Sequence, residues 1–333
     1  MSLRVRLPRT IADIGEFGFL AAWLPQLPGA SDLVVGPGQD CAVISTPGRA
    51  WLITVDALVE GVHFERGWLS PRQLGRKSFL VNASDIAAMG GQPRFCVVSL
   101  GLPRSYPARD LRALQAGIVA AAAECGALVV GGNLARADKV FVSVTLLGPA
   151  PRRIVTRQGA RPGDRIYVTG TLGDAALGVR WLRTRSGRGQ SAYPVRRFRL
   201  PSPRLQAGRL LVSRRLASSM IDVSDGLVQD LGHICSESRV GAEVRTETIP
   251  CSPAYRAALG TDLTLALHGG EDYELLCTVP ERHVKQLDRL TLQLGCPIAC
   301  IGRIVPGSGV GLRNRDGRIP PLRDGGYDHF RRH

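Results

Sequence analysis

Short runs of aliphatic and β-branched residues alternate along this chain with longer segments whose apolar positions recur at helical spacing. In the first half, this pattern predicts helices at 71–91 and 108–126, and strands at 51–59, 94–102, 127–132 and 139–148. Strands and helices in alternation over about 150 residues indicate a domain of the α/β or α+β class.

A stretch rich in Pro and Arg at 148–165 interrupts this pattern and is typical of a domain boundary. We therefore expect two domains, 1–150 and 151–333, which suits a chain of 333 residues. The polar segment 184–199 is predicted to be an exposed loop. The rest of the second half predicts helices at 174–183, 201–214, 227–238 and 281–294, and strands at 165–170, 274–279 and 298–305, with a further strand that ends within MIDVSDG (220–226).

The composition is that of a globular chain without a membrane segment. Hydrophobic residues make up 44% of the sequence, yet no apolar run approaches the length of about 18 residues that a membrane span needs. The first 20 residues contain no uninterrupted apolar segment and no small-residue cleavage site. We therefore expect no secretory signal, no membrane partner and a cytoplasmic location.

The net charge of +15 introduces nucleic-acid binding as a hypothesis, because clustered Lys and Arg residues are its usual signature. Here the excess is almost all Arg and is spread along the chain, with denser runs at 180–199 and 331–333. Aromatic residues make up only 5%, which gives no evident stacking surface. A solvated basic surface is therefore favoured, and no nucleic-acid partner is expected.

Eight cysteines are scattered along the sequence without the spacing of a zinc site. Several lie in apolar runs that predict strands, as Cys96 and Cys277 do. We expect buried free thiols rather than disulfides, since the sequence shows no export signal.

Aspartates carry the main candidate chemistry of the chain. Carboxylate oxygens suit hard cations such as Mg²⁺, which usually takes few carboxylates together with substrate phosphates. A concentrated acidic site in a basic chain therefore predicts carboxylates that hold metal and metal that holds a polyphosphate. Seven aspartates lie in short motifs with glycine, serine or small apolar neighbours: Asp40, Asp56, Asp85, Asp174, Asp222, Asp225 and Asp272.

Two common motifs of ATP-handling proteins are absent from the sequence. It contains no G-x-x-x-x-G-K-[ST] loop, and neither H-R-D nor D-F-G occurs. If this chain handles ATP, it must do so on a different fold.

Motifs from one end of the chain to the other resemble those of the thiamine-monophosphate kinase family, within the superfamily of aminoimidazole ribonucleotide synthetase. Their order and spacing make the match specific, and VEGVHF together with the terminal YDHF favours this family over its superfamily relatives. The matching stretches are GEFGFL (15–20), GQDCAVI (38–44), TVDALVEGVHF (54–64), VNASDIAAMGGQPRFCVVSLGLP (81–103), TRQGARPGDRIYVTGTLGDAALG (156–178), PSPRLQAG (201–208), MIDVSDGLVQDLGHI (220–234), LHGGEDYELLCTVP (267–280) and GGYDHF (325–330).

The resemblance implies an activity, a fold and a set of partners. The activity is transfer of the γ-phosphoryl group of ATP to thiamine monophosphate, which gives thiamine diphosphate and ADP. The fold is an N-terminal sheet domain that pairs into a barrel across a homodimer, followed by a C-terminal α/β domain that completes the nucleotide and substrate site. Several Mg²⁺ ions are implied, since phosphoryl transfer depends on positioning and charge neutralisation more than on a general base.

The resemblance also assigns residues to roles. ATP contacts are implied at Gly132, Asn133, Arg157 and Ser224. Substrate contacts are implied at His63, Glu271 and Tyr327, the last with its ring face toward the cationic thiamine rings. Metal ligands, of which Val55 can offer only its backbone carbonyl, are implied at Asp40, Thr54, Val55, Asp56, Asp85, Asn133, Asp222 and Asp225.

These residues also have ordinary structural interpretations. Asp225 before a glycine is typical of a turn or a helix N-cap, and the glycine pair at 131–132 is typical of a turn at a strand end. His63 alone is more often a surface residue and Tyr327 a packing residue, whereas Asp85 within a helix must face solvent or be paired. The joint pattern favours the functional interpretation for the aspartates as a group.

Three positions depart from the family pattern. Gln39 replaces the first acidic residue of the usual GDDAA. Asn133 replaces the aspartate of GGD, so one expected metal site loses a charge, and a tyrosine usual in the family is missing near Cys125. An alternative function therefore stays open, that of a related ATP-dependent enzyme of the superfamily acting on another small substrate.

Overall fold

A computed structural model describes residues 10–184 and 192–314 of the chain. Two six-stranded sheets organise it, one built from the first half of the sequence and one from the second half. Helices pack against both sheets, which confirms the predicted α/β (α+β) class with two sheet-containing parts. None of the helices in the described part of the chain is long and apolar enough to span a membrane.

The first sheet has the strand order β1-β2-β3-β6-β4-β5. All neighbouring strands in it are antiparallel except β4 and β5, which are parallel because a helix crosses between them. Its strands are β1 (Leu33–Val35), β2 (Ala42–Thr46), β3 (Arg49–Val59), β4 (Phe95–Leu102), β5 (Leu128–Arg136) and β6 (Phe141–Pro149).

The second sheet has the strand order β12-β9-β11-β7-β10-β8. It is antiparallel apart from the pair formed by β9 and β12. Its strands are β7 (Arg165–Thr169), β8 (Ser219–Asp222), β9 (Gly241–Arg245), β10 (Leu275–Val279), β11 (Ile298–Val305) and β12 (Gly309–Arg313).

Each predicted helix has a counterpart among the described residues, whereas the helices at 11–23, 253–259 and 264–268 were not predicted. The predicted helix at 71–91 ends at Ala88, and the predicted helix at 281–294 becomes a short 3-10 turn after Leu290. The helices are α1 (Ile11–Trp23), α2 (Pro71–Ala88), α3 (Ala108–Glu124), α4 (Asp174–Thr184), α5 (Tyr193–Arg199), α6 (Leu205–Ser213), α7 (Leu227–Ser238), α8 (Pro253–Leu259), α9 (Thr264–His268) and α10 (Glu281–Leu290).

Helix α2 connects the two sheets. Its residues Phe79 and Ile86 belong to the core of the first sheet, whereas Ala87 packs into a core of the second half. A Cβ at Gly208 of α6 would lie 2.0 Å from the carbonyl oxygen of Ala87, so only glycine allows this close approach. The C-terminal turn of α2 is therefore fixed between the two halves, and this turn carries Asp85.

Helix α5 contradicts the predicted exposed loop at 184–199. Its apolar residues Pro194, Val195 and Phe198 are buried, and the buried side chains of Arg197 and Arg199 bond to other parts of the protein. The prediction was wrong here because tertiary burial outweighed the arginine-rich composition. The remainder of that prediction, residues 185–191, lies outside the described residues.

All eight cysteines are free thiols, as expected, and four of them are buried. The glycine pair at 131–132 lies within strand β5 and not in a turn at its end, so the turn interpretation was wrong. A Cβ at Gly132 would lie 2.1 Å from the carbonyl oxygen of Val98 on β4, which explains why this strand position requires glycine.

Candidate active site

The five predicted metal-binding aspartates come from four separate segments that meet where the two sheets adjoin. Burial, followed by the charges of Asp56, Asp222 and Asp40, holds the pKa of Asp85 well above its ordinary value. These carboxylates are therefore close enough to interact. Asp225 is linked to the group through Asp56. The structure thus brings together the side chains that the sequence could only place in separate motifs.

Helix α2 orients the carboxylates. The hydroxyl of Thr54 donates to Oδ2 of Asp85 at 2.5 Å, and the hydroxyl of Ser84 donates to Oδ2 of Asp222 at 2.6 Å. Asn82, three residues before Asp85 and on the same side of the helix, accepts a hydrogen bond from the backbone N–H of Asp56 at 2.8 Å. One turn of α2, which itself carries Asp85, therefore fixes two other carboxylate-bearing segments, β3 with Asp56 and β8 with Asp222.

Burial, followed by charge from neighbouring acidic groups, makes Asp85, Asp222 and Asp225 costly to ionise. Burial, followed by the charge of Asp40, raises the pKa of Asp222 to about 8. Burial, followed by the charge of Glu16, raises the pKa of Asp225 to about 6. A bound cation reverses both effects, because it favours the ionised form.

Arg157 is placed against Asp40. Its Nη2 and Nε donate to Oδ1 of Asp40 at 2.6 and 3.1 Å, and its backbone N–H donates to Oε1 of Gln39 at 2.8 Å. The other carboxylate oxygen of Asp40, Oδ2, is buried and has no hydrogen-bond partner. A buried carboxylate oxygen without a partner fits a metal ligand, because such an atom is otherwise costly to bury.

The carboxylates do not form a complete metal cage. In residues 10–184 and 192–314, no group of three or more His, Cys, Asp or Glu side chains is arranged to hold a metal ion by itself. Mg²⁺ commonly takes one or two carboxylates and completes its shell with water and substrate phosphate oxygens. The arrangement therefore fits ions that are shared between the protein and a polyphosphate.

The loop before α7 presents Ser224. The backbone N–H groups of Ser224, Asp225 and Gly226 all donate to Oδ2 of Asp230 at 3.1 Å, so this helix terminus is capped by a carboxylate of its own helix. The carbonyl of Ser224 accepts from the N–H of Glu271 at 2.8 Å. With both backbone groups engaged, Ser224 can offer a nucleotide its hydroxyl.

Glu271 lies in a strained loop before β10. Both Glu271 and Tyr273 have positive φ angles, 73° and 51°, which is costly for residues with a side chain. The intervening Asp272 holds the loop down, since its Oδ2 accepts from the N–H of Gly173 at 2.7 Å. Strain that is held by buried hydrogen bonds is common at functional sites.

His63 lies in the turn after β3. Its Nδ1 accepts a hydrogen bond from the backbone N–H of Val59 at 3.1 Å. This bond fixes the tautomer of the neutral ring, in which Nε2 carries the proton and acts as a donor.

The side chain of Asn133 does not face the aspartates within this chain. Asn133 aligns across the sheet with Ser99, then Ser143, then Ala57. Aligned residues face the same side of a sheet and consecutive residues face opposite sides, so Asn133 points away from the face that carries Asp56. The side chain of Val55 also lies on the face of Asn133 and is 58% exposed, which leaves only its carbonyl for a metal.

Two of the seven aspartates take structural roles in the second half. Asp272 anchors the strained loop, and Asp174 accepts hydrogen bonds from the hydroxyls of Thr171 and Ser252 at 2.6 and 2.5 Å. Their motifs look like those of the other aspartates, and only their bonding partners separate them. Tyr327, the remaining predicted substrate contact, lies outside the described residues.

Sequence reasoning missed four residues that shape this region. Ser84 and Asn82 adjoin Asp85 in one motif, so their spacing on a helix was an available signal. Asp230 lies in the first turn of α7, where acidic residues often interact with backbone N–H groups. Lys77 gave no local signal, because its partners are distant in sequence.

Family models match both halves of the chain. Residues 38–150 match "AIR synthase related protein, N-terminal domain", and residues 161–314 match "AIR synthase related protein, C-terminal domain". Thiamine-monophosphate kinase of Salmonella typhimurium is 38% identical over 325 residues, covering 95% of this chain and 98% of the relative. The chain belongs to the thiamine-monophosphate kinase family.

Solved structures agree with membership of the thiamine-monophosphate kinase family. A structure of AaThiL complexed with AMPPCP and TMP superposes with a TM-score of 0.84 at 31% identity, covering 98% of this chain and 100% of that one. Thiamine-monophosphate kinase from Stenotrophomonas maltophilia K279a gives a TM-score of 0.76 at 35% identity, covering 87% of this chain and 93% of that one. Both similarities extend across the two sheets, so the family fold is present as a whole.

Proposed function

We propose that this chain transfers the γ-phosphoryl group of ATP to the phosphate of thiamine monophosphate, giving thiamine diphosphate and ADP. The observation that carries the proposal is the group of carboxylates at the junction of the sheets, in which Asp40 and Asp222 are buried and Oδ2 of Asp40 has no partner, in a chain of this family. The solved relative AaThiL was complexed with AMPPCP and TMP, which supports both substrates.

Mg²⁺ is the proposed cofactor, and the carboxylates are its proposed protein ligands. When bound, it would neutralise the charge of the two phosphate-bearing substrates and help to align them. Thr54 and Ser84 would keep the carboxylates of Asp85 and Asp222 in a fixed orientation. Within this chain, the proposed ligands are Thr54, the Val55 carbonyl, Asp40, Asp56, Asp85, Asp222 and Asp225.

No general base is needed for this reaction. The attacking atom is an oxygen of a phosphate monoester, whose second pKa near 6 leaves it largely ionised at neutral pH. The proposed work of the chain is therefore to bind and orient. Arg157 and the hydroxyl of Ser224 contact the nucleotide, while His63, Glu271 and Tyr327 contact the acceptor.

A second copy of the chain completes the nucleotide site in this proposal. All nine residues of strand β5 are exposed at the edge of the first sheet, including the large apolar residues Leu128, Val130 and Leu134. An exposed apolar edge strand is suited to pairing with another chain. Such pairing would let Asn133 of one chain approach the carboxylates of the other, since within one chain its side chain lies on the opposite face of the sheet from Asp56. We place the domain boundary at residues 150 and 151, after the last strand of this sheet.

The test is detection of thiamine diphosphate by mass spectrometry after incubation of the purified protein with thiamine monophosphate, ATP and Mg²⁺. Asp222→Asn should abolish product formation, whereas the matched control Asp174→Asn should retain it, because Asp174 is bonded to Ser252 and Thr171 in the second half. ATP consumption with another acceptor and no thiamine diphosphate would instead favour a related enzyme of the superfamily.

A further inference from the structure

Lys77 is a fully buried lysine at the junction of the two halves. It lies in α2, and its side chain has 0% exposure. Its Nζ donates to the carbonyl of Phe198 at 2.8 Å, forms an ion pair with Glu271, and lies 3.6 Å from the centroid of the Phe198 ring. The ammonium thus meets a carbonyl, a carboxylate and an aromatic face, which can accept its three N–H bonds.

The composition of the chain makes a lysine at this position informative. Among its 43 Lys and Arg residues there are only three lysines, namely Lys77, Lys139 and Lys285. Arg is a planar fork, whereas Lys is a compact charge with three donors that can point in different directions. The carbonyl, the carboxylate and the ring surround a single atom, Nζ, as suits a compact ammonium charge.

The ion pair holds one end of Glu271 and leaves the other end available. Lys77 contacts Oε2, and among the described residues Oε1 accepts no hydrogen bond. The Glu271 side chain is 22% exposed, and its charge reaches Asp225 in the carboxylate group. One oxygen is thus held by a buried cation, while the partly exposed side chain keeps its second oxygen available for another donor.

Helix α5 contacts both Lys77 and the loop that carries Glu271. Arg197 of this helix donates to the carbonyl of Asp272 at 2.9 Å and to Glu274 at 2.7 Å, in the same loop as Glu271. The carbonyl of Phe198, next along the helix, receives Lys77. Helix α5 therefore bonds both to Lys77 in the first half of the chain and to the strained loop in the second half.

We propose that Lys77 is a positioning residue for the acceptor substrate and that it acts through Glu271. By holding Oε2, the buried ammonium directs Oε1 toward the acceptor, where it accepts a hydrogen bond from an N–H group of the acceptor ring system. The positive charge of Lys77 also compensates the negative charge of the half-buried Glu271. Burying Glu271 therefore needs no positive charge from the substrate. This inference rests on the proposed function and on Glu271 as an acceptor contact.

The experiment compares steady-state kinetics of the wild type with three variants: Lys77→Met, Glu271→Gln and the double variant. Lys77→Met and Glu271→Gln should each raise the KM for thiamine monophosphate about tenfold or more, with the KM for ATP changed less than about threefold. The matched control is Lys285→Met, an exposed lysine on α10 whose loss should change neither constant.

The double variant distinguishes positioning from a merely structural role. If Lys77 acts through Glu271, the double variant has the same KM for thiamine monophosphate as Glu271→Gln alone. The inference would be overturned if the double variant raised the KM for thiamine monophosphate by the product of the two single-variant increases. It would also be overturned if Lys77→Met raised the KM for thiamine monophosphate and the KM for ATP equally. This comparison holds even if Lys77→Met does not fold alone, because the double variant leaves no carboxylate without its partner. An inactive wild type would instead count against the proposed function itself.

Discussion

The metal-free protein should lose stability as the pH rises through the region where most proteins are stable. Asp222 provides the reason, because burial and neighbouring charge raise its pKa from 3.8 to about 8. A carboxyl whose pKa is raised by folding binds its proton more tightly in the folded state. Its contribution is complete below the unfolded pKa near 4, decreases through the intervening range, and is lost above about pH 8.

The expected magnitude follows from the same shift. One pKa unit corresponds to about 1.36 kcal/mol, so the change between pH 6 and pH 8 for Asp222 alone is about 2 kcal/mol. For domains of 150–250 residues this lowers the melting temperature by roughly 4 to 8 °C. Asp85 and Asp225 shift in the same direction and add to the loss.

Thermal unfolding monitored at pH 6, 7 and 8 in a metal chelator measures the effect, and a parallel series contains Mg²⁺. The ion should stabilise the protein more at pH 8 than at pH 6, since it binds the ionised carboxylates. Asp222→Asn should flatten the metal-free series and weaken the Mg²⁺ effect, whereas Asp174→Asn should leave the Mg²⁺ effect unchanged. A wild-type melting temperature that is constant or rises from pH 6 to pH 8 without metal would refute the reasoning.

Three further outcomes are expected on the edge strand of the first sheet. Gly132→Ala should destabilise the fold by about 1 to 3 kcal/mol, because its Cβ would lie 2.1 Å from the oxygen of Val98; a denaturant titration with an unchanged midpoint would contradict this. Asn133→Asp should lower the Mg²⁺ concentration for half-maximal activity by restoring a charge, and a titration that needs equal or more Mg²⁺ would exclude Asn133 from the metal site. Leu134→Asp should convert a dimer to the 35.8 kDa monomer in light scattering, and a wild type of that mass at micromolar concentration would refute the dimer.

Local patterns predicted many of the regular elements, although α1, α8, α9 and the strands β1, β2, β9 and β12 were not predicted. Strand β3, expected at 51–59, spans Arg49–Val59, and helix α7 has the predicted bounds of 227–238. These elements are decided by the spacing of apolar residues, which is visible in a short window. Helix α5 was missed because its burial depends on the distant partners Glu274 and Trp68, not on its own composition.

The site was predictable as a set of residues but not as a geometry. The aspartate motifs named Asp40, Asp85 and Asp222 correctly as neighbours, because their glycine and serine surroundings match a family pattern. The face on which Asn133 lies depends on strand register, which no single motif encodes. The ion pair between Lys77 and Glu271 joins residues 194 positions apart and is beyond any local signal.

The positive φ angles of Glu271 and Tyr273 place backbone strain and a buried ion pair in the same loop. Glycine would accept either backbone conformation without the penalty of roughly 1 kcal/mol that a side chain incurs there. Glycine at Glu271 would also leave the fully buried ammonium of Lys77 without its carboxylate, and this loss of about 3 to 5 kcal/mol exceeds the relieved strain. The ion pair therefore keeps the strained residue in place even under selection for heat resistance alone, so stabilisation of this chain is best sought on its outer helices and away from this loop.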